Sequence, residues 1–441
     1  MTRNFFAAIT AALLLVACTE TKKDYSAFVN NPVLYNKTVK QLNDVVLENN
    51  FPPMIASRNY VYANIAAYEV VAYYDNRFNS LAGQIKHMPA FPKTEIADVD
   101  YHIAALLAFC KVGEAVTFPE GSLQEYVKQL KHEMDSVGVP GSVMKASQQF
   151  ADSMAGHIIR WSKGDHYLQL RTAPKYEVTN EESRWIPTPP MYAQAVEPHW
   201  MEMRTMVMDS ASQFRPTPPP AYDVANKNSV YYKALLEVKN TVDSLNDEQK
   251  HIADFWDDNP FKMNVSGHVM FATKKFSPPG HWMNIVGIGA SKAGADFSTT
   301  VAAYTETSIA LYDAFISCWE EKYRSNFVRP ETIINKYINS EWQPYIQTPP
   351  FPSHTSGHAT ISAAAAESMT AWFGDNLQFT DTSLLEFGIK NREIQSFRKA
   401  AEEAAMSRLY GGIHYRFDNE HGTAAGRRLG EFIVSRLKMK K

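Results

Sequence analysis

Apolar residues recur at intervals of three and four along most of this chain, the spacing that gathers them on one face of an α-helix. Residues 60–74, 101–111, 123–134, 143–161 and 230–242 all follow it. Alternating runs bounded by turn residues, the mark of a half-buried strand, are scarce. The pattern predicts a nearly all-α protein. The absence of a repeat of fixed period argues against a solenoid.

The helical spacing breaks between Trp185 and Tyr222, where Pro187, Pro189, Pro190, Pro198, Pro216, Pro218, Pro219 and Pro220 rule out a single helix. This stretch is either a connection between domains or an ordered loop covering a pocket. Beyond it, Ser244 or Asn246 is placed to cap a helix leading to Phe255-Trp256. A long apolar helix is expected over 299–323, followed by a Pro- and aromatic-rich connection over 342–352. Further helices are expected to open near 353–356 and to cover 393–410 and 420–437. The fold class that results is all-α, two packed helical bundles divided as 31–222, with the Pro-rich connection, and 223–441.

The N-terminus departs from this picture. Arg3, an apolar run over 5–16 and the closing Leu15-Val16-Ala17-Cys18 resemble an export signal, too short to span a bilayer. A small residue before Cys18 fits a lipoprotein signal over 1–18, with lipid on Cys18 as the membrane attachment and 19–30 as tether; an ordinary signal peptide is the alternative. The folded part is then expected outside the cytoplasm. Cys110 and Cys318 both lie in apolar helical runs and read as buried free thiols, although export permits a bridge. With Lys+Arg 44 against Asp+Glu 47 and a net charge of -3, no global basic field draws nucleic acid. Any anion must be held by a local cluster.

Three segments of the C-terminal region supply one. Lys322 is followed after six residues by Arg329-Pro330. Ser356-Gly357-His358 opens a helix. Ser407-Arg408 is followed after five residues by His414, and Asp418 comes four later. Brought together, Lys322, Arg329 and Arg408 place three positive charges around one point, and guanidinium forks suit a tetrahedral oxyanion. Ser356 adds a hydroxyl, Gly357 lets a backbone N–H approach closely, and the helix start adds its dipole. His358 and His414 would face each other across the anion. Asp418, one helical turn beyond His414, would accept its second ring N–H.

These segments resemble the three-part signature of the superfamily that joins vanadium haloperoxidases and type 2 phosphatidic acid phosphatases. One element differs: Thr355 stands where the family has Pro before Ser356-Gly357-His358. The resemblance implies a haloperoxidase-type C-terminal bundle in which His414 binds vanadium, or becomes phosphorylated, and His358 acts as acid–base residue. It implies that Lys322, Arg329, Ser356, Gly357 and Arg408 form the cradle for vanadate or phosphate, with Lys322 polarising a bound peroxide. Trp319 and Phe351 look like the aromatic pair lining the halide pocket of chloroperoxidase-type members. Residues 255–258 and 278–282 also resemble segments of bacterial chloroperoxidase-like proteins, with Asp257 or Asp258 as a partner for Arg408.

A vanadate bound to histidine has the shape of the phosphoryl-transfer transition state, so the signature suits two chemistries. The leading expectation is a vanadium-dependent haloperoxidase acting on hydrogen peroxide and halide. The second is an exported acid phosphatase acting on a phosphate ester, with His414 as nucleophile. The third is a non-catalytic surface-binding lipoprotein. Oligomeric state and the role of the N-terminal half are not legible.

Overall fold

The computed structural model describes residues 24–260 and 275–441, with the backbone of two short strands between them. The expected signal segment, Cys18 and the first tether residues lie outside the described residues.

In the first half run α1 (Ser26–Val29), α2 (Pro32–Glu48), α3 (Pro53–Tyr74), α4 (Tyr101–Val116), α5 (Gln124–Ser136), α6 (Gly141–Ser162) and the single turn α7 (Tyr167–Leu170). The second half holds α8 (Val230–Asp243), α9 (Asp247–Phe255), α10 (Pro278–Lys292), α11 (Phe297–Ser325), α12 (Pro330–Tyr337), α13 (Gly357–Phe373), α14 (Phe397–Tyr410) and α15 (Arg416–Arg436). Two antiparallel hairpins interrupt the helices, β1 (Met263–Ser266) with β2 (Val269–Ala272) and β3 (Phe379–Asp381) with β4 (Arg392–Ile394).

Local chemistry sets the helix ends. Asn246 and Gln249 form a reciprocal capping box that starts α9, so Asn246 and not Ser244 is the cap. Ser356 caps α13 by accepting from the Ala359 amide at 3.3 Å. The helix expected from Glu393 begins only at Phe397: Glu393 lies in β4 and pairs with Thr380 of β3, and Ser396 accepts from the Lys399 amide at 3.2 Å to start α14. These hairpins are too short to leave a readable alternation in the sequence.

α11 is the axis of the protein. It is buried almost throughout its 29 residues and packs against α3 on one side and α13 on the other. One apolar core therefore runs from Val29 to Met439 through both halves. A smaller core of Tyr231, Leu235, Phe327, Val328, Trp342, Leu409, Tyr415 and Phe417 packs beneath the turns that carry Arg329 and His414. The Pro-rich stretch forms an ordered strap across this region. Its Trp185 amide donates to Asn326 O at 2.9 Å, and its Val196 amide to Pro350 O at 3.1 Å. Farther along, the amides of Met206, Val207 and Met208 donate to the buried Asp313 carboxylate of α11 at 2.7, 2.8 and 3.0 Å. Cys110 and Cys318 are buried and free. No helix among the described residues is long and apolar enough to cross a membrane.

α13 and α15 approach through Gly422, Gly426 and Gly430, one per turn. A Cβ at Gly426 would lie 2.0 Å from Thr360 O, which is backbone and cannot yield cheaply. Gly426→Ala is therefore expected to destabilise the protein by about 1–3 kcal/mol through overpacking. The check is a urea unfolding curve; an unchanged midpoint would mean that the two helices separate freely.

Candidate active site

The three polar segments reach one cleft by different routes. Lys322 and Trp319 lie in the last turns of α11, and Arg329 is the residue that precedes α12. Ser356, Gly357 and His358 begin α13, Arg408 closes α14, and His414 sits in the turn before α15. Asp418 belongs to the first turn of α15, whereas His414 precedes that helix. The two are thus joined across a helix start and not along one helical face, as the spacing alone had suggested.

Asp258, Trp319, Phe351, Gly357, His358, Arg408 and His414 line the cleft. Trp319 and Phe351 form an aromatic wall, their ring centroids 5.1 Å apart. Lys322, Arg329, Ser356 and Asp418 stand immediately behind these residues. Lys322 Nζ donates to Pro352 O at 2.7 Å and Ser353 O at 3.0 Å and lies 5.0 Å from the Phe351 ring centroid. Arg329 Nε donates to Phe351 O at 2.9 Å, while Nη1 donates to Ile413 O at 2.7 Å and to His414 Nε2 at 3.0 Å.

That last contact fixes a tautomer. A guanidinium only donates, so His414 Nε2 must present its lone pair, and Nδ1 carries the proton that it gives to Asp418 Oδ2 at 2.9 Å. Burial, reinforced by Arg329, holds the His414 pKa well below the ordinary histidine value, which keeps the ring neutral. Asp418 also accepts from Ser353 Oγ at 2.5 Å and from His354 Nδ1 at 3.0 Å. Burial opposes its charge, but the hydrogen bonds from His354 and His414 outweigh it and keep its pKa far below the carboxylate range.

The cationic groups are under strain of a different kind. Burial pushes the Lys322 pKa down to about 7 and those of Arg329 and Arg408 down to about 10. Among the described residues, no carboxylate lies within ion-pair distance of Lys322 or Arg329. Arg329 Nη2 is buried with no hydrogen-bond partner, and His358 Nε2 is likewise unpartnered, 3.8 Å from Asp258 Oδ2. Burial, with Arg408 adding to it, pushes the His358 pKa down to about 4. A Cβ on Gly357 would meet only Trp319 Cζ3, at 3.8 Å, and would project into the cleft. Unpaired donors, a glycine beside open space and a helix start fit a tetrahedral oxyanion such as vanadate or phosphate.

Asp257 or Asp258 was expected as the partner of Arg408. Arg408 Nε donates to Ser407 Oγ at 2.9 Å and Nη2 donates to Trp256 O. Asp257 and Asp258 support its charge through their field. Asp258 gives its short contacts to His281 Nδ1, 3.1 Å from each oxygen, and Asp257 Oδ2 stands 3.7 Å from Lys275 Nζ. Of the five residues expected to form the cradle, Gly357 and Arg408 line the cleft beside Trp319 and Phe351, and Lys322, Arg329 and Ser356 stand behind that lining.

Three further residues escaped the sequence reading, and His281 entered it only as part of the segment 278–282. Ser353 and His354 hold Asp418. His281 sits between Asp258 and Asp381, with Nε2 2.9 Å from Asp381 Oδ2. Pro278-Pro279-Gly280-His281-Trp282 carries a visible signal, a histidine in a helix start beside Pro and Gly, but Asp381 comes from a three-residue strand with none.

Comparison with known proteins places the chain as a whole. Residues 302–440 match the family model described as the VCPO second helical-bundle domain. No curated protein sequence matches the chain. The crystal structure of a bacterial vanadium-dependent iodoperoxidase is similar at 40% sequence identity and a TM-score of 0.88, over 93% of this chain and 97% of that one. Holo and apo structures of a bacterial vanadium-dependent chloroperoxidase share the fold at 19% identity and a TM-score of 0.66. They cover 88% of this chain and 92% and 95% of their own. Identity of this level over nearly the whole length places the chain in the vanadium-dependent haloperoxidase family.

Proposed function

We propose that this protein is a vanadium-dependent haloperoxidase that oxidises halide with hydrogen peroxide at a vanadate held by His414, with iodide as its first halide. The observation that carries this reading is the set of buried cationic donors converging, without carboxylate partners for Lys322 or Arg329, on a neutral imidazole lone pair at His414 Nε2. The choice of iodide rests on the likeness to the iodoperoxidase.

When bound, vanadate supplies a Lewis-acidic centre at which peroxide becomes an electrophilic oxidant toward halide. The residues of the chain do the rest. Arg329 Nη2, the Arg408 fork, Ser356 and the amides at the start of α13 bind the oxyanion oxygens. Asp418 keeps the His414 proton on Nδ1, so Nε2 presents the lone pair that accepts from Arg329 Nη1 at 3.0 Å and that vanadium would take as ligand. Lys322 neutralises charge that accumulates on the oxygens beside it. Halide loses two electrons as the O–O bond breaks, and the departing oxygen needs a proton to leave as water. His358, neutral because burial holds its pKa at about 4 and lining the cleft with Nε2 unpartnered, is placed to take a proton from the incoming peroxide and return it to that oxygen. Trp319 and Phe351 exclude water from the path of the halide.

Purified protein is expected to form triiodide only when peroxide and orthovanadate are both present. His414→Ala should abolish this, and His358→Ala should lower kcat about a hundredfold or more. Aryl phosphate hydrolysis, inhibited by vanadate and with no halide oxidation, would replace the proposal with a phosphatase. Inactivity in both assays would leave a binding protein.

Lys322 generates a second expectation. Its folded pKa, about 7, lies below its ordinary value, so the folded state binds fewer protons than the unfolded state above pH 7. The cost of burying this cation is thus fully present below pH 7 and falls as pH rises toward 10. Lys322→Met should gain stability relative to wild type at pH 6, a gain that declines across pH 7–10. Thermal melts of the vanadium-free pair over that range check the slope; parallel curves would refute it.

A further inference from the structure

Each cleft imidazole is backed by a carboxylate, and each carboxylate by a second buried histidine. Behind His414 stand Asp418 and His354; behind His358 stand Asp258 and His281. The second of these chains ends in another carboxylate, Asp381, and is the more deeply enclosed. His281, Asp258 and Asp381 are each 0–1% exposed.

Building on the proposed function, we infer that His281 is a positioning residue of the oxyanion pocket: as a fixed imidazolium it holds both oxygens of Asp258 and keeps that carboxylate off Arg408. The geometry supports this at each atom. Both ring nitrogens face carboxylate oxygens, which accept unless they are themselves protonated, so the ring donates twice. Asp381 is held from its far side by the Ser383 amide at 2.9 Å on Oδ1. The Trp256 ring stacks on His281 with centroids 4.7 Å apart and 25° between planes, fixing the orientation. Trp256 O in turn receives Arg408 Nη2, so one residue sets both the imidazolium and the guanidinium. Burial alone would strip the charge from His281, but Asp258 and then Asp381 outweigh it and raise its pKa to about 10.

The consequence is electrostatic. Asp257 and Asp258 both act on Arg408. With a neutral side chain in place of His281, the charges of Asp258 and Asp381 would lose the cation between them. Asp258, its oxygens released, would turn to the Arg408 guanidinium and occupy the fork that an anion needs.

The test is a binding cycle on vanadium-free protein, read by calorimetry with orthovanadate and with orthophosphate. His281→Gln is expected to weaken both anions about tenfold or more, the size of one unit charge at short range in a partly screened pocket. Adding Asp258→Asn to it should restore affinity to within about threefold of Asp258→Asn alone, because the charge that His281 balanced is gone. A double variant no better than His281→Gln would overturn the inference and leave His281 a packing residue. Should His281→Gln fail to fold, ring 15N spectra of wild type decide the matter. The histidine shifted by its Trp256 neighbour should keep both N–H protons to pH 8.5, and a neutral ring would refute the assignment. Wild-type protein that binds neither anion would sink the proposed function instead, while the ring spectrum still judges His281.

Discussion

The site depends on one unfavourable act: burying Lys322, Arg329 and Arg408 around a small space. Cations removed from water must recover hydrogen bonds and opposing charge or lose their protons. Here Lys322 and Arg329 recover hydrogen bonds chiefly from main-chain oxygens of residues 351–353 and 413, which offer dipoles but no full negative charge. The charge of Lys322 and Arg329 is left unbalanced by any ion pair among the described residues, and Arg329 Nη2 has no hydrogen-bond partner. An oxyanion completes what the chain leaves undone. The rigid packing of α11 against α3 and α13 is what holds this arrangement against the repulsion within it.

The same constraint explains why carboxylates are present yet kept at a distance. Asp418 orients His414 and Asp258 stands 3.8 Å from His358 Nε2, but Ser353 and His354 fix the oxygens of the first carboxylate and His281 those of the second. A free carboxylate in this cleft would compete with the ligand for the guanidinium groups. The buried histidines behind them reconcile the two needs, orienting a base while withholding an anion.

Much of this was legible in the chain. The spacings from Lys322 to Arg329 and from Arg408 to His414 and Asp418 survive as a readable signature because each segment is a short helix end, where sequence distance and spatial distance nearly coincide. Ser356 and Asn246 were readable as caps for the same reason. What escaped were partners supplied by long-range packing. Asp381 reaches His281 from a hairpin 100 residues away, and no periodicity marks so brief a strand. Ser353 and His354 lie beside the Ser356-Gly357-His358 motif, but their roles depend on α15 presenting Asp418 to them. The turn between His414 and α15 shows the limit of spacing arguments, since a four-residue interval served equally well across a helix start.

The strap over 185–222 meets the site through its main chain. Val196 O accepts from Trp319 Nε1 at 3.2 Å and from Tyr323 Oη at 2.8 Å, and Thr217 O accepts from His354 Nε2 at 3.0 Å. Carbonyl oxygens are common to every residue type, so these contacts do not depend on the side chains of Val196 and Thr217. They do depend on the length of the strap. An insertion or deletion between those two carbonyls would shift the register at which the strap touches the aromatic wall and the histidine behind Asp418, altering the pocket without changing any residue that lines it.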